Sequence, residues 1–391
     1  MVTVSAATLK VAEFLPNDFS LDASVSYDLE IQRAIDQAAT QGASLEFPAM
    51  TIAARETGWR LHSGSILLMR GATFQLSAEC AEDGAVFHGH DVTDVTLIGG
   101  TVLGRNDVWK DGVNIRGVRI TGKSARIRIH DMSFRDLSSN GVGLFGSADH
   151  YISDVWVRDV TVENCCKRYP DYLSGEKVEP NSVREDQGDV AFYYIEDFVV
   201  DGCRFERSRS DGTHFYRCRN GQITNNRIYR AKMGGYFIET CEAVIGKGNI
   251  MWENGSRGAT IERGCVNCVF SDNVVRLSGR EGLWAPDCIG LVVTGNLFDR
   301  NGRKQNRPPR YVWNANITID NQRGDPSNSP TRDYLITDNL IYTTDSQIAA
   351  IRVDATDDTR DIVIRGNLLL GENRRVLIQG SNVSEVHCDS K

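Results

Sequence analysis

Four asparagines set the period of this chain. Asn226, Asn249, Asn273 and Asn296 lie 23, 24 and 23 residues apart, each closely followed by apolar side chains, and Asn339 and Asn367 repeat the phrase further on. Repeats of that length, built from short β-rich runs, cannot bury an apolar face singly and must stack coil upon coil. Asparagine suits the recurring position: it tolerates the left-handed backbone of a tight turn, and its amide can bond to the asparagine one coil away. The expected fold is therefore all-β, a right-handed parallel β-helix.

Aligned on the asparagines, each coil holds three strands. A first strand follows a small-residue turn, as at Asn140, Asp211, Gly234, Arg257 and Glu281. A second leads into the asparagine turn, as in Gly221-Gln-Ile-Thr, and a third follows it, as in Arg227-Ile-Tyr. Earlier stretches beginning at Val92, Val118, Ala125 and Val155 lack the asparagine but keep period-two alternation.

The start of the chain reads differently. Ile31, Ala34, Ile35 and Ala38 fall at helical spacing, which predicts a helix over 27–42, ended by Gly42 and covering the open end of the solenoid. The unbroken repeat predicts one domain over 1–391, and it overrides what length alone would allow. Insertions near 167–187 and 302–313 stretch two coils, and long loops on a rigid scaffold are where function concentrates.

A net charge of −8 argues against nucleic-acid and anionic-membrane partners, and no apolar run is long enough to span a bilayer. No secretory signal follows Met1, which leaves cytoplasmic and secreted locations both open. Ten cysteines invite a disulfide or metal reading, but Cys218, Cys241, Cys265 and Cys288 are again 23, 24 and 23 residues apart. A column of buried thiols explains that spacing, and no metal site is assigned because Cys265 and Cys268 lack two further ligands nearby.

Alternation assigns faces on the first strands. With Val142, Leu144, Thr213, Phe215, Tyr236, Ile238, Ala259 and Ile261 inward, the outward set becomes Phe192, Tyr194, His214, Tyr216, Phe237, Glu239, Thr260, Glu262 and Trp284. A column of outward aromatics is unusual on a solvated face and offers platforms for pyranose rings; the bland alternative is a second core under the inserted loops. Carboxylates flank it. Asp189 and Asp211 lie 22 residues apart where turns enter first strands, and Glu239 and Glu262 lie 23 apart toward strand ends. Neighbouring coils are roughly 4.8 Å apart and alternate coils about twice that. The spacing therefore admits both a retaining pair at about 5 Å and an inverting pair at about 6.5–9.5 Å.

The stretch Ala34-Ile-Asp-Gln-Ala-Ala-Thr-Gln-Gly-Ala-Ser-Leu-Glu-Phe-Pro resembles the N-terminal cap and first coil of the pectin-lyase-like superfamily. That superfamily includes polygalacturonase-type hydrolases, polysaccharide lyases, fructotransferases, uronan epimerases and phage tailspike depolymerases. Polygalacturonases carry Asn-Thr-Asp, Asp-Asp, Gly-His-Gly and Arg-Ile-Lys on successive coils. This chain has Gly188-Asp189-Val, Ser210-Asp211-Gly, Gly234-Gly235-Tyr and Thr260-Ile261-Glu262 there, so two aspartates remain and the rest of the pattern does not. The resemblance implies a saccharide partner, and proteins of this type often form homotrimers.

Three functions compete. The leading expectation is a glycoside hydrolase or transglycosylase using Asp189 and Asp211, or Glu239 and Glu262, as acid and base, without a cofactor. Its sugar would lie along Phe192, Tyr194, Tyr216, Phe237 and Trp284. The second is a uronan lyase or C5-epimerase, with His214 or Tyr216 as base and Arg217, Lys232 or Arg263 neutralising the carboxylate; Asp189 and Asp211 would then serve as Ca2+ ligands. The third is a non-catalytic carbohydrate-binding or tailspike-like module.

Overall fold

The computed structural model describes residues 7–167, 184–303, 315–321 and 330–389, in two compact units, Met1–Arg204 and Phe205–Lys391. The insertions expected near 167–187 and 302–313 fall largely outside the described residues.

In the first unit a helix, α1 (Asp28–Gln41), buries Ile31, Ala34, Ile35 and Ala38 and ends at Gly42, whose φ of 62° is the left-handed cap that glycine adopts without penalty. Three parallel sheets follow, visited in turn by the chain. Sheet I runs through Trp59–Arg60, Gly84–His90, Ile115–Thr121, Val142–Phe145 and Val190–Tyr193. Sheet II includes Thr93–Ile98, Ala125–His130, Ile152–Arg158 and Ile195–Asp201. Sheet III includes Thr73–Leu76, Thr101–Leu103, Ser133–Arg135 and Thr161–Glu163.

The second unit repeats the plan. Its sheet I holds Thr213–Tyr216, Tyr236–Glu239, Ala259–Glu262, Leu283–Trp284, Ala315–Ile319, Ala349–Ala355 and Val376–Gly380. Its sheet II includes Arg219–Thr224 and Glu242–Lys247, and its sheet III Arg227–Tyr229 and Ile250–Trp252. Alternate residues of these strands point into a dry interior: Phe215, Tyr236, Ile238, Ala259, Ile261, Leu283 and Ile317 are all fully buried.

The asparagine column is real, but its reason is only half the expected one. Asn226, Asn249, Asn273, Asn296 and Asn339 are buried, and each accepts from its predecessor or donates to its successor through the amide. The left-handed turn is made instead by the preceding residue: Asn225, Gly248, Asp272, Gly295, Asp338 and Gly366 have φ between 54° and 69°. Two neighbouring residues thus divide the work. One takes the strained backbone, while the next satisfies buried amides from coil to coil.

The thiol column is present too. All ten cysteines are free, and Cys218, Cys241, Cys265 and Cys288 are buried. Their S–H groups donate to backbone carbonyls, as Cys265 does to the Glu262 carbonyl at 3.3 Å and Cys288 to that of Pro286 at 3.1 Å. Among the described residues no cluster of His, Cys, Asp and Glu is arranged to hold a metal ion, and no helix is long and apolar enough to cross a membrane.

Candidate functional site

The sequence placed Phe192 on the outward face, and the structure corrects this. Phe192 pairs in register with Leu144, is fully buried and meets Phe198 edge-on at 5.6 Å inside the first unit. Tyr193 takes the outward place beside Phe145. The error is a slip of one residue, which in a strand exchanges the faces of every side chain. Tyr194 lies one past the strand, in the turn, with φ 57° and its ring against Tyr151. Asp189 is fully buried next to the Cys166 thiol, 3.3 Å from its Oδ1.

Asp211 stands differently in the second unit. It precedes its strand by two residues, whereas Asp189 immediately precedes its own. Asp211 Oδ1 accepts the Gly234 N–H at 2.7 Å, so this carboxylate braces the turn of the next coil. Lys232 occupies that turn as well, its N–H bonded to the Ser208 carbonyl.

The remaining candidates converge on the outward face of sheet I in the second unit. His214 is fully buried, stacks on Phe237 at 4.6 Å and lies with Nε2 3.9 Å from Glu239 Oε2. Glu239 pairs directly with Glu262 on the next strand. Two carboxylates at that spacing repel, and Arg263 answers both, at 3.1 Å from Glu239 and 3.7 Å from Glu262. Arg263 and Arg217 hold equivalent turns after their strands, with φ 53° and 54°. Arg217 donates from Nε to the Tyr216 hydroxyl at 2.8 Å.

Further along the same face, Trp284 pairs with Thr260 on one side and Thr318 on the other. The Arg257 guanidinium covers one face of its indole at 3.6 Å and is tied to Glu281 at 3.3 Å. The stacking faces expected to be open are therefore each half taken, by His214 on Phe237 and by Arg257 on Trp284. One face of each ring remains for a sugar.

The sequence reading missed Asp320. It follows the strand Ala315–Ile319, and its Oδ1 accepts the Trp284 Nε1–H at 2.8 Å. Extending the register of Trp284 with Thr318 by two residues sets Asp320 in the column of Glu239 and Glu262, with Asp354 on the strand beyond. Burial raises the Asp320 carboxyl to about 6; the Trp284 hydrogen bond opposes this, while Glu281 and Asp354 add to it. Asp354 is paired with Arg352. The clue was in the sequence: counting back from Asn339 rather than forward through the insertion aligns Asp320 with Glu262.

A separate cleft of about 300 Å³ in the first unit is lined by Ala23, Ser24, Arg55, Gln75 and Arg105 among others, none of them acidic, so it offers no acid/base pair.

A family model described as a right handed beta helix region matches residues 111–323, more than half of the chain. No curated protein matches it. Similar solved structures include the A-module of the mannuronan C-5 epimerase AlgE4 of Azotobacter vinelandii, 13% identical with a TM-score of 0.75 over 98% of this chain and 99% of that one. PfbA, a surface adhesin of Streptococcus pneumoniae, is 14% identical with a TM-score of 0.63 over 96% and 93%. The Dettilon tailspike protein is 12% identical with a TM-score of 0.57 over 95% and 68%. At such identities the likeness is one of fold.

Proposed function

Because the chain belongs to the right-handed β-helix family, we propose that it is a saccharide-processing enzyme, a glycoside hydrolase whose acid is Asp320 and whose base is Glu262. One observation carries this reading: the two carboxyl groups share a column but stand in opposite environments. Asp320 is held near 6 by burial and donates or accepts beside an indole. Glu262 faces a guanidinium at 3.7 Å. Carboxyl groups pushed apart in this way divide into a proton donor and a proton acceptor. The fold neighbours named for a mannuronan epimerase and a tailspike support a saccharide as the class of substrate.

The two positions are two coils apart, roughly 9.6 Å by strand spacing, at the upper edge of the range of about 6.5–9.5 Å that leaves room for water. Asp320 donates its proton to the glycosidic oxygen as the C1–O bond breaks. Glu262 takes a proton from the water that adds to C1 from the opposite face, so the product is inverted. Tyr216, Phe237 and Trp284 line this face and stack the sugar; Glu239, held by Arg263 and His214, positions the guanidinium rather than the substrate.

The test is a panel of neutral and uronic polysaccharides, followed for new reducing ends and for the ultraviolet absorbance of an unsaturated sugar. The expected result is reducing ends without that absorbance, lost in both Asp320→Asn and Glu262→Gln while binding persists. Unsaturated products would move the chemistry to a lyase based on Tyr216 and its basic neighbours. Binding without turnover on any polymer would make the chain a recognition module.

A further inference from the structure

The outward face of sheet I in the first unit carries charges that this chemistry leaves unused. Arg60 and His88 are paired across adjacent strands, and His88 is paired in turn with Arg119. Their strand neighbours Trp59, Phe87, Val118 and Ile120 are buried, so alternation turns the three outward. The next two positions of the column, Gly143 and Ala191, bring no carboxylate to it. Basic groups stacked roughly 4.8 Å apart without an acid between them oppose folding.

Arg119 is the informative member. Its half-buried guanidinium lies over the Phe145 ring at 5.8 Å, yet it makes no hydrogen bond or ion pair with any described residue. Arg116 lies over the same ring at the same distance but is satisfied by Asp186 at 2.5 Å, which Ser139 also reaches at 2.7 Å. The pair shows what an internally balanced arginine looks like on this face, and Arg119 differs from it. Burial, and then the Arg116 charge, press the Arg119 guanidinium below its ordinary value, as expected of a cation lacking a counter-ion. Burial likewise lowers His88, leaving a neutral imidazole as a hydrogen-bond partner. Beside them Phe145 and Tyr193 form an aromatic wall, edge to face at 5.5 Å. The Phe145 ring fills the space over Gly143, where a Cβ would come within 2.7 Å of it.

We propose that this face is a second saccharide site, selective for an acidic sugar whose carboxylate or sulfate group is taken by the Arg119 fork while His88 and Arg60 bind neighbouring oxygens. It consists of first-unit residues only and does not depend on the acid/base pair proposed above. Planar anions fit a guanidinium in two parallel hydrogen bonds.

Calorimetric titration of the full chain tests it, in the Asp320→Asn background so that no probe is consumed. The probes are a galacturonic acid trimer, a galactose trimer and a sulfated galactose trimer. We expect an acidic trimer to bind, to weaken as salt rises, and to lose roughly tenfold or more in affinity in Arg119→Gln, with Arg119→Lys in between. Arg60→Gln, at an exposed position, gives a smaller loss and serves if the first variant folds poorly. Which acidic trimer binds tells carboxylate from sulfate. Equal affinity for the neutral trimer, indifference to Arg119→Gln, or no binding at all overturns the assignment. None of these outcomes bears on turnover, which reports on Asp320 and Glu262 instead.

Discussion

Replacing Asp320 with asparagine should make the protein more stable at neutral pH while removing its activity. The folded state keeps the Asp320 proton up to about pH 6, while the unfolded chain releases it near the ordinary 3.8. Below pH 4 both states are protonated and the site costs nothing. As pH rises from 4 through 6, the unfolded state gains the charge first, so the folded state loses ground; above 6 the loss is complete. The gap between the two values is worth about 3 kcal/mol. Asparagine has the same shape, never ionises and still offers an oxygen to Trp284 Nε1–H, so it escapes that penalty. Thermal unfolding of both forms between pH 4 and 8 is the assay. The two should nearly coincide at pH 4 and diverge through pH 6, until the variant leads by roughly 4 °C for a chain of this length. A difference that stays constant with pH, or a variant that is less stable above pH 6, would refute the view of Asp320 as a carboxyl whose burial opposes its charge.

The same carboxyl sets a rate profile: turnover should fall as pH passes about 6, and Trp284→Phe, which removes the hydrogen bond that favours the ionised form, should move that limb to higher pH. Asn296→Ala deprives the Asn273 N–H and amide of their acceptor and the Phe270 carbonyl of a donor, all buried; a loss on the order of 4 kcal/mol is expected in denaturant unfolding. An exposed asparagine such as Asn373 provides the comparison and should show little effect. Thiol titration should find Cys388 reactive in the native protein and all ten cysteines only after denaturation, because the other nine are buried and unpaired by disulfides.

The fold was legible because a stacked coil imposes its period on every position that must meet its own copy. Asparagines and cysteines recur at the same 23- and 24-residue intervals since each bonds or packs against the coil beside it. The face of the candidate site was legible for the same reason, from His214 to Trp284, where no insertion disturbs the count. It failed at two places, each with a physical cause. Aligning Asp189 with Asp211 shifted the strand Val190–Tyr193 by one residue and turned the core residue Phe192 outward. The long interval between Asn296 and Asn339 hid the coil that carries Asp320.

The charge pattern of that column also explains why Asp320, rather than its neighbours, holds a proton. Side chains stacked at coil spacing cannot all be anionic without compensation. Glu239 and Glu262 share Arg263, and Asp354 has Arg352. Alongside them, Glu281 draws on both Arg257 and Arg280. Asp320 makes no ion pair with any described residue; it has the Trp284 N–H, while Glu281 and Asp354 oppose its charge. A fold seeking only stability would place an asparagine or threonine at such a position, since either satisfies the indole without the cost of burying a charge. An uncompensated acid among compensated ones is instead what proton donation requires. The ladder that makes the solenoid stable fixes every coil at the same spacing, so the chemistry can be varied by changing one side chain per coil without moving the others.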